Sequence, residues 1–486
     1  MDKSKRLVLT GVFWTGFQMI VNQGFAFVIR LVLAKLLFPE QFGLIGMAVV
    51  FTGFIQVLND LGIGAALVQR KDEDLRSEHF HTAFWVGVGW SIMLYIIISL
   101  GVSQLAANFY NEPMLVQLIP VLSLGILFSP VNLVNKAQLT KSMNFKKIAF
   151  IDNTSNIIVG CISLIMAFYG AGVWALVFNS VASIVIAMPL YFRATRWYPK
   201  FIWDKVAFKD IFGFGIYTTG TSVVNYLINN VDYLLIGKIL SAQALGYYTL
   251  AFVLTDTFRS RLMAVINNVM YPMYGKMQGD PKGLKKYYLK VVNYNSVVVY
   301  PIMLFMFVLG HPFVTRFFGQ KWLESITPLQ ILSVSVMFHM LVNSNTALIR
   351  GMGRPGLEMK LQLFKAVIFI PMLVMGINFY GIIGAAGAIL INKVIAVMIA
   401  QYTFNNLLNI KLSYMDFFNA IKAPWIASIV TYIIIYCLYN MLHFNYIVCA
   451  VILFVLYFYI IWLVMGKEVK MQILEFKKSK NNIVPQ

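Results

Sequence analysis

The sequence predicts an all-α integral membrane protein of 14 transmembrane helices, arranged as two six-helix lobes related by a parallel pseudo-two-fold repeat plus two extra C-terminal helices. Three observations lead there. The 486-residue chain is 59% hydrophobic and only 12% charged. Its apolar runs reach the roughly 20 residues that a helix needs to cross a bilayer core. Its basic residues concentrate on alternate links between those runs.

Taken in order, the first run, 9–37, follows Lys3, Lys5 and Arg6 and is too long, with no small-residue cleavage site after it, to read as a cleaved signal. It predicts a retained first helix. The runs 42–69 and 80–107 flank Arg70, Lys71 and Arg76, and 114–135 and 147–168 flank Lys141 and Lys146. The run 171–192 ends at Arg193 and leads into the longest basic link, whose Trp197, Tyr198, Phe201, Trp203 and Phe208 interleave with Lys and Arg. That pattern favours the headgroup layer and a tether between the lobes. The runs 211–237, 243–270, 289–310, 326–349, 358–379 and 381–404 complete a second set of six. The last two, 416–438 and 442–465, carry few polar groups and read as peripheral, lipid-facing helices, followed by a basic tail at 467–486. The expected domains are an N-lobe at 1–193, an interfacial linker at 194–210, a C-lobe at 211–405, and spans 13–14 at 406–466.

Charge sets the orientation. Of 39 Lys and Arg residues, 29 lie on the even-numbered links and the two tails, 4 on the odd-numbered links and 6 inside spans. By the positive-inside rule both termini and all even links are cytoplasmic. The formal net charge of +20 is then a property of loops beside anionic headgroups, not a nucleic-acid footprint. Cys161, Cys437 and Cys449 fall in apolar spans without CxxC spacing, so neither a disulfide nor a metal site is expected. His79 and His81 read as an interfacial pair at a helix start.

An internal repeat supports the two lobes. KLLFPEQFGLIGMA (35–48) aligns without a gap on KILSAQALGYYTLA (238–251), at an offset of 203 residues that also pairs Asn22 with Asn225 and Gly43 with Gly246. Six spans separate the copies, so both point the same way through the membrane. Parallel repeats of this kind occur in secondary transporters, with the substrate site between the halves.

Polar residues inside spans mark the candidate site, because charge within a bilayer is expensive and faces a partner, a cavity or a substrate. Span 7 carries Ser222, Asn225, Asn229 and Asp232 on one stripe, extended by Thr218 and Thr221. Span 1 offers Thr15, Gln18 and Asn22 on one face, with Gln23 and Arg30 on the next. Span 2 offers Thr52, Gln56, Asn59 and Asp60, and span 8 offers Asp256, Arg259, Ser260 and Arg261. The cavity candidates are Arg30, Asn22, Gln23, Gln56, Asn225, Asn229, Arg259 and Lys393, and the ion-coupling candidates are Asp60, Asp232 and Asp256. Each has a plainer reading. Ser, Thr and Asn pair across helix contacts, Arg30 can snorkel to the interface, and Asp256 and Arg259, three residues apart, can neutralise each other on one helix face. His339, Asn343 and Thr346 form a further stripe in span 10.

No P-loop, metal-ligand spacing or large outer loop is present, so the sequence predicts no enzyme and no cofactor. Several stretches, FGLIGMAVVFTGFIQVLNDLGIGAALVQRKD (42–72), MNFKKIAFID (143–152), NNVDYLLIGKILSAQALGYY (229–248), FGQKWLESITPLQIL (318–332) and KLQLFKAVIFIP (360–371), resemble the Wzx/WzxC-type polysaccharide flippases of the multidrug/oligosaccharidyl-lipid/polysaccharide (MOP) exporter superfamily. The resemblance spans nearly the whole chain. It implies a bacterial inner-membrane protein moving a polyprenyl-diphosphate-linked oligosaccharide between leaflets through a cationic cavity, for O-antigen, capsule or exopolysaccharide synthesis. Its implied partners are the lipid-linked oligosaccharide, bilayer lipids and polysaccharide-assembly proteins. The alternatives are a drug/cation antiporter of the same superfamily, a polysaccharide polymerase or ligase, and a non-transporting scaffold. A mixed Arg/Asp interior argues against the antiporter, and the missing outer loop against the polymerase.

Overall fold

The structure, a computed structural model, describes residues 3–60, 63–69 and 74–481, with side chains for most of them. The described residues are helical apart from short links, with no strand among them. They form two compact units, Met1–Thr249 and Leu250–Gln486.

The first unit holds α1 (Lys3–Leu36), α2 (Pro39–Asp60), α3 (Ile63–Gln69), α4 (Ser77–Ile97), α5 (Ser103–Tyr110), α6 (Leu115–Lys141), α7 (Phe145–Phe168), α8 (Val173–Thr195), α9 (Lys205–Ile239) and the start of α10 (Ala242–Phe252). A π-helical turn, Ile98–Val102, runs α4 into α5 without a break. Asn144 caps α7 by accepting from the Lys147 amide, and Asp204 caps α9 by accepting from Ala207 at 2.7 Å. Such caps satisfy amides that the first helical turn leaves open. α1 packs along α7, α6 lies against α8 and α4, and α2 against α9.

The repeat is visible as geometry. α1 ends at Leu36 and α9 at Ile239, α2 begins at Pro39 and α10 at Ala242, so both corners recur at the offset of 203. The corners also touch reciprocally: a Cβ at Gly43 would overlap the Ala242 carbonyl, and a Cβ at Gly246 would overlap that of Pro39. Glycine is required at both positions because backbone lies where a side chain would begin.

The segment between α8 and α9 does not simply lie flat. It docks on the first turns of α4: Trp85 Nε1 donates to the Lys200 carbonyl at 2.9 Å, and the Lys200 amide donates to His81 Nδ1 at 3.0 Å. The Asp204 amide donates to Thr82 Oγ1, and Trp197 stacks on His81. His79 Nδ1 accepts from the Arg76 amide, so each histidine of the pair closes local backbone. Tyr198, Phe201 and Trp203 remain exposed, as an interfacial position requires.

The second unit continues α10 through a π-helical turn, Val253–Thr257, into α11 (Phe258–Lys276). It then holds α12 (Pro281–Val308), α13 (Gly310–Phe317), α14 (Ile326–His339), α15 (Asn345–Gly351), α16 (Pro355–Tyr402), α17 (Tyr414–Tyr436) and α18 (Tyr446–Asn481). Span 10, expected to be one helix, is instead broken into α14 and α15 by turns at 340–344. α16 is a hairpin rather than a rod. Gly381 has φ +56°, and Gly376 and Gly384 sit backbone to backbone, where a straight helix would hold them roughly 12 Å apart.

Among the described residues nine helical stretches are long and apolar enough to cross a bilayer, the hairpin 355–407 counting once. The chain is a multi-pass membrane protein. α18 shows why its outer surface suits hydrocarbon: Cys449, Leu453 and Tyr457 are fully buried on one seam, while Val451, Val455, Trp462 and Leu463 are exposed on the opposite one. That is the peripheral helix the sequence predicts.

Candidate functional site

In the first unit most polar side chains within the spans serve packing. Asn59 joins three helices, donating to Ser129 Oγ at 2.6 Å and accepting from Ser91 Oγ at 3.0 Å. Asp232 is buried and accepts from Tyr248 OH at 2.6 Å, tying α9 to α10. Of the predicted cavity residues, Asn22, Gln23 and Asn225 are half-buried, whereas Arg30, Gln56 and Asn229 are exposed. The side chains of Thr15, Asp60, Thr218, Thr221 and Arg261 lie outside the described set.

One residue that the sequence reading passed over is the hub of this unit. Asp152, on α7, accepts from Gln18 Nε2 of α1 at 2.7 Å, from Lys136 Nζ of α6 at 2.8 Å and from Tyr191 OH of α8 at 2.7 Å. The available signal was an acidic residue alone in an apolar run, at the end of MNFKKIAFID.

The second unit gathers cations. Arg259, only 7% exposed, donates from Nε to Asp256 Oδ1 at 2.9 Å and from Nη1 to Asn343 Oδ1 at 3.2 Å. The sequence places Asp256 and Arg259 three residues apart, and the structure pairs them across the π-helical turn. Such turns recur at functional sites because they re-aim side chains within a helix. Asn343 reaches Arg259 from the break between α14 and α15, and its carbonyl accepts from Asn267 Nδ2 at 3.3 Å. Lys365 and Lys393 lie on α16, which packs against α14 with its His339.

Two buried polar atoms of this cluster, Asn343 Nδ2 and Asn267 Oδ1, have no hydrogen-bond partner among the described residues, and neither do His339 Nδ1 and Asn392 Oδ1 in the same unit. An unpaired buried polar atom costs about 1–3 kcal/mol. Folded chains keep few of them unless water or a ligand completes the bonding. The set comprises one permanent cation, Arg259, its carboxylate partner Asp256 and open donors and acceptors. It can hold an anion with hydroxyl-rich substituents, and it lacks a nucleophile–base pair for covalent chemistry.

Known proteins agree with this architecture. The model of a family described as polysaccharide biosynthesis protein matches residues 32–327, more than half the chain. The lipopolysaccharide biosynthesis protein WzxC of Escherichia coli (strain K12) is 26% identical over 88% of this chain and 87% of its own length. The teichuronic acid biosynthesis protein TuaB of Bacillus subtilis (strain 168) is 27% identical over 63% of each. Among solved structures, the lipid II flippase MurJ in an inward closed conformation superposes with a TM-score of 0.69 at 15% identity, covering 95% of this chain and all of that one. An inward-facing multidrug transporter of the MOP superfamily gives 0.58 at 16% identity, covering 82% of this chain and 98% of that one. At such identities the likeness is one of fold alone. Matched across most of its length by the same fold and over 32–327 by the family model, the chain belongs to the polysaccharide biosynthesis protein family.

Proposed function

We propose that the chain is a flippase moving a polyprenyl-diphosphate-linked oligosaccharide from the cytoplasmic to the outer leaflet of a bacterial inner membrane, for surface polysaccharide synthesis. The observation that carries this reading is the buried Arg259 of the second unit, held by Asp256 and Asn343 with open polar atoms on Asn343 and Asn267. A diphosphate cannot cross hydrocarbon alone, while its lipid tail can remain there. Guanidinium suits phosphate oxygens through its forked donors. Asn22, Gln23, Gln56, Asn225 and Asn229 suit sugar hydroxyls with little added charge. The names of the relatives, lipopolysaccharide, teichuronic acid and succinoglycan biosynthesis proteins, support a glycan cargo.

Both termini and the basic even links face the cytoplasm in this reading, in accord with the positive-inside rule. The two six-helix lobes, 1–193 and 211–405, alternate access, and no covalent step is involved. The membrane potential assists: moving two negative charges outward across about 100 mV releases roughly 4–5 kcal/mol. Asp60, Asp232 and Asp256 are the candidates for coupling to an inward cation. Asp232 and Asp256 are already engaged by Tyr248 and Arg259, so coupling through either requires that partner to let go.

The test is flipping of a fluorescent polyprenyl-diphosphate glycan in proteoliposomes. The expected result is protein-dependent translocation that falls when Arg259 becomes Ala. Absence of translocation of any lipid-linked glycan, or export of cationic drugs instead, overturns the reading.

A further inference from the structure

The Asp152 hub differs from an ordinary structural ion pair in how its bonds are shared. Gln18 Nε2 and Lys136 Nζ both donate to Oδ2, and Tyr191 OH donates to Oδ1. Were Lys136 to leave, each carboxylate oxygen would keep one neutral donor, so the charge would stay solvated by protein. Lys136 is the partner able to leave. Its side chain is 48% exposed, against 17% for Asp152, and an ammonium has three donors, of which the carboxylate takes one.

Position adds the second argument. Lys136 lies five residues before the end of α6, and Asp152 seven residues after the start of α7. At 1.5 Å per residue both sit about 8–11 Å inside the basic ends of their helices. Lys146 stands over the Trp14 ring at 5.4 Å, and Lys147 donates to the Ala194 carbonyl at the end of α8. Lys146 and Lys147, on α7 itself, are thus engaged elsewhere, and among the described residues the ammonium on Asp152 is that of Lys136, with the Gln18 amide and the Tyr191 hydroxyl as the other donors.

We propose that Lys136 is a receiving group for the diphosphate of a lipid-linked substrate, held by Asp152 until the phosphate displaces the carboxylate. Asp152 acts as a positioning residue and competitor: it keeps the ammonium extended near the basic ends of α6 and α7 and sets how readily the anion is released. This rests on the flippase reading above and adds a residue and an exchange step to it.

The experiment measures binding of geranylgeranyl diphosphate to the purified full chain in phosphatidylcholine nanodiscs, with thermal melting of each variant alongside. Lys136→Ala is expected to weaken binding about tenfold, the value of one charge-assisted hydrogen bond, and Lys136→Arg to restore most of it. Asp152→Asn removes the competitor and is expected to tighten binding several-fold. Opposite signs for the two partners are the signature, since a purely structural pair would weaken binding, or leave it alone, in both. Equal effects in folded Lys136→Ala and Asp152→Asn variants overturn the proposal. So does loss of the Lys136-dependent affinity when phosphatidylglycerol is added, which would make bulk headgroups the occupant. Unchanged binding in Lys136→Ala with intact flipping defeats this inference alone, whereas neither binding nor flipping by the unmodified chain defeats the flippase reading as well.

Discussion

The two units handle buried charge in opposite ways. In the first, Asp152 meets three donors from three helices and Asn59 joins α2, α4 and α6, so these two networks fasten helices together, although Tyr110, Asn132, Gln138, Asn153 and Ser155 there also keep open atoms. In the second, Arg259 has one carboxylate and one amide for company, while Asn343 and its neighbour Asn267 keep open atoms. A satisfied network rigidifies a fold, and an unsatisfied one is where a ligand finds free bonds.

The sharpest break of that contrast is Arg259→Ala. Flipping is expected to fall about 10- to 100-fold with a small change in melting, because a charge-assisted contact to cargo is lost while Asp256 stays near the turn. A large melting loss with flipping intact would reassign Arg259 to structure. Asp152→Ala is the counterpart. It strands the buried Tyr191 hydroxyl and the Gln18 amide, and a loss of about 2–4 kcal/mol in unfolding stability is expected in detergent.

Next come the reciprocal corners. Gly43→Ala and Gly246→Ala each press a methyl group into the opposing backbone, and each should cost about 1–3 kcal/mol, nearly equally if the repeat holds at this level of detail. Unequal effects would show that one copy yields. Asn343→Asp sharpens the comparison from the other side: a second carboxylate at Arg259 should raise melting by roughly 1 kcal/mol while slowing flipping.

The smallest effect is expected at Glu112, in the link after α5. Burial, and then the nearby Glu40 carboxylate, push its carboxyl above the usual range. A raised acid pKa means that the folded state holds its proton more tightly than the unfolded one, so ionised Glu112 opposes folding above the raised value. Glu112→Gln should therefore raise melting slightly at neutral pH, by under about 1 kcal/mol after solvent screening. The gain should vanish as pH falls below the ordinary carboxylate range, where both states are protonated. A gain that persists there would point to packing instead.

Helix positions, the repeat and the peripheral character of α17 and α18 were legible because they follow from local composition. A run of Leu, Ile, Val and Phe is a spanning helix whatever surrounds it, and duplicated corners leave a fixed offset. The Asp256–Arg259 pair was legible for the same reason, being three residues apart. Asp152 was not: its partners lie 134, 16 and 39 residues away, and nothing periodic announces them. The break at 340–344 was also hidden, since Met340–Ser344 contains neither Pro nor Gly, and it moved Asn343 off the expected stripe and onto Arg259.

By itself, then, the sequence determined that this chain enters a membrane repeatedly and which links are basic, because transfer from water to hydrocarbon depends on composition and span length. Which polar residues are spent on one another, and which keep open bonds, was decided only by the tertiary structure. Hydrogen bonds act over about 3 Å, and only folding brings Gln18, Lys136 and Tyr191 that close to Asp152.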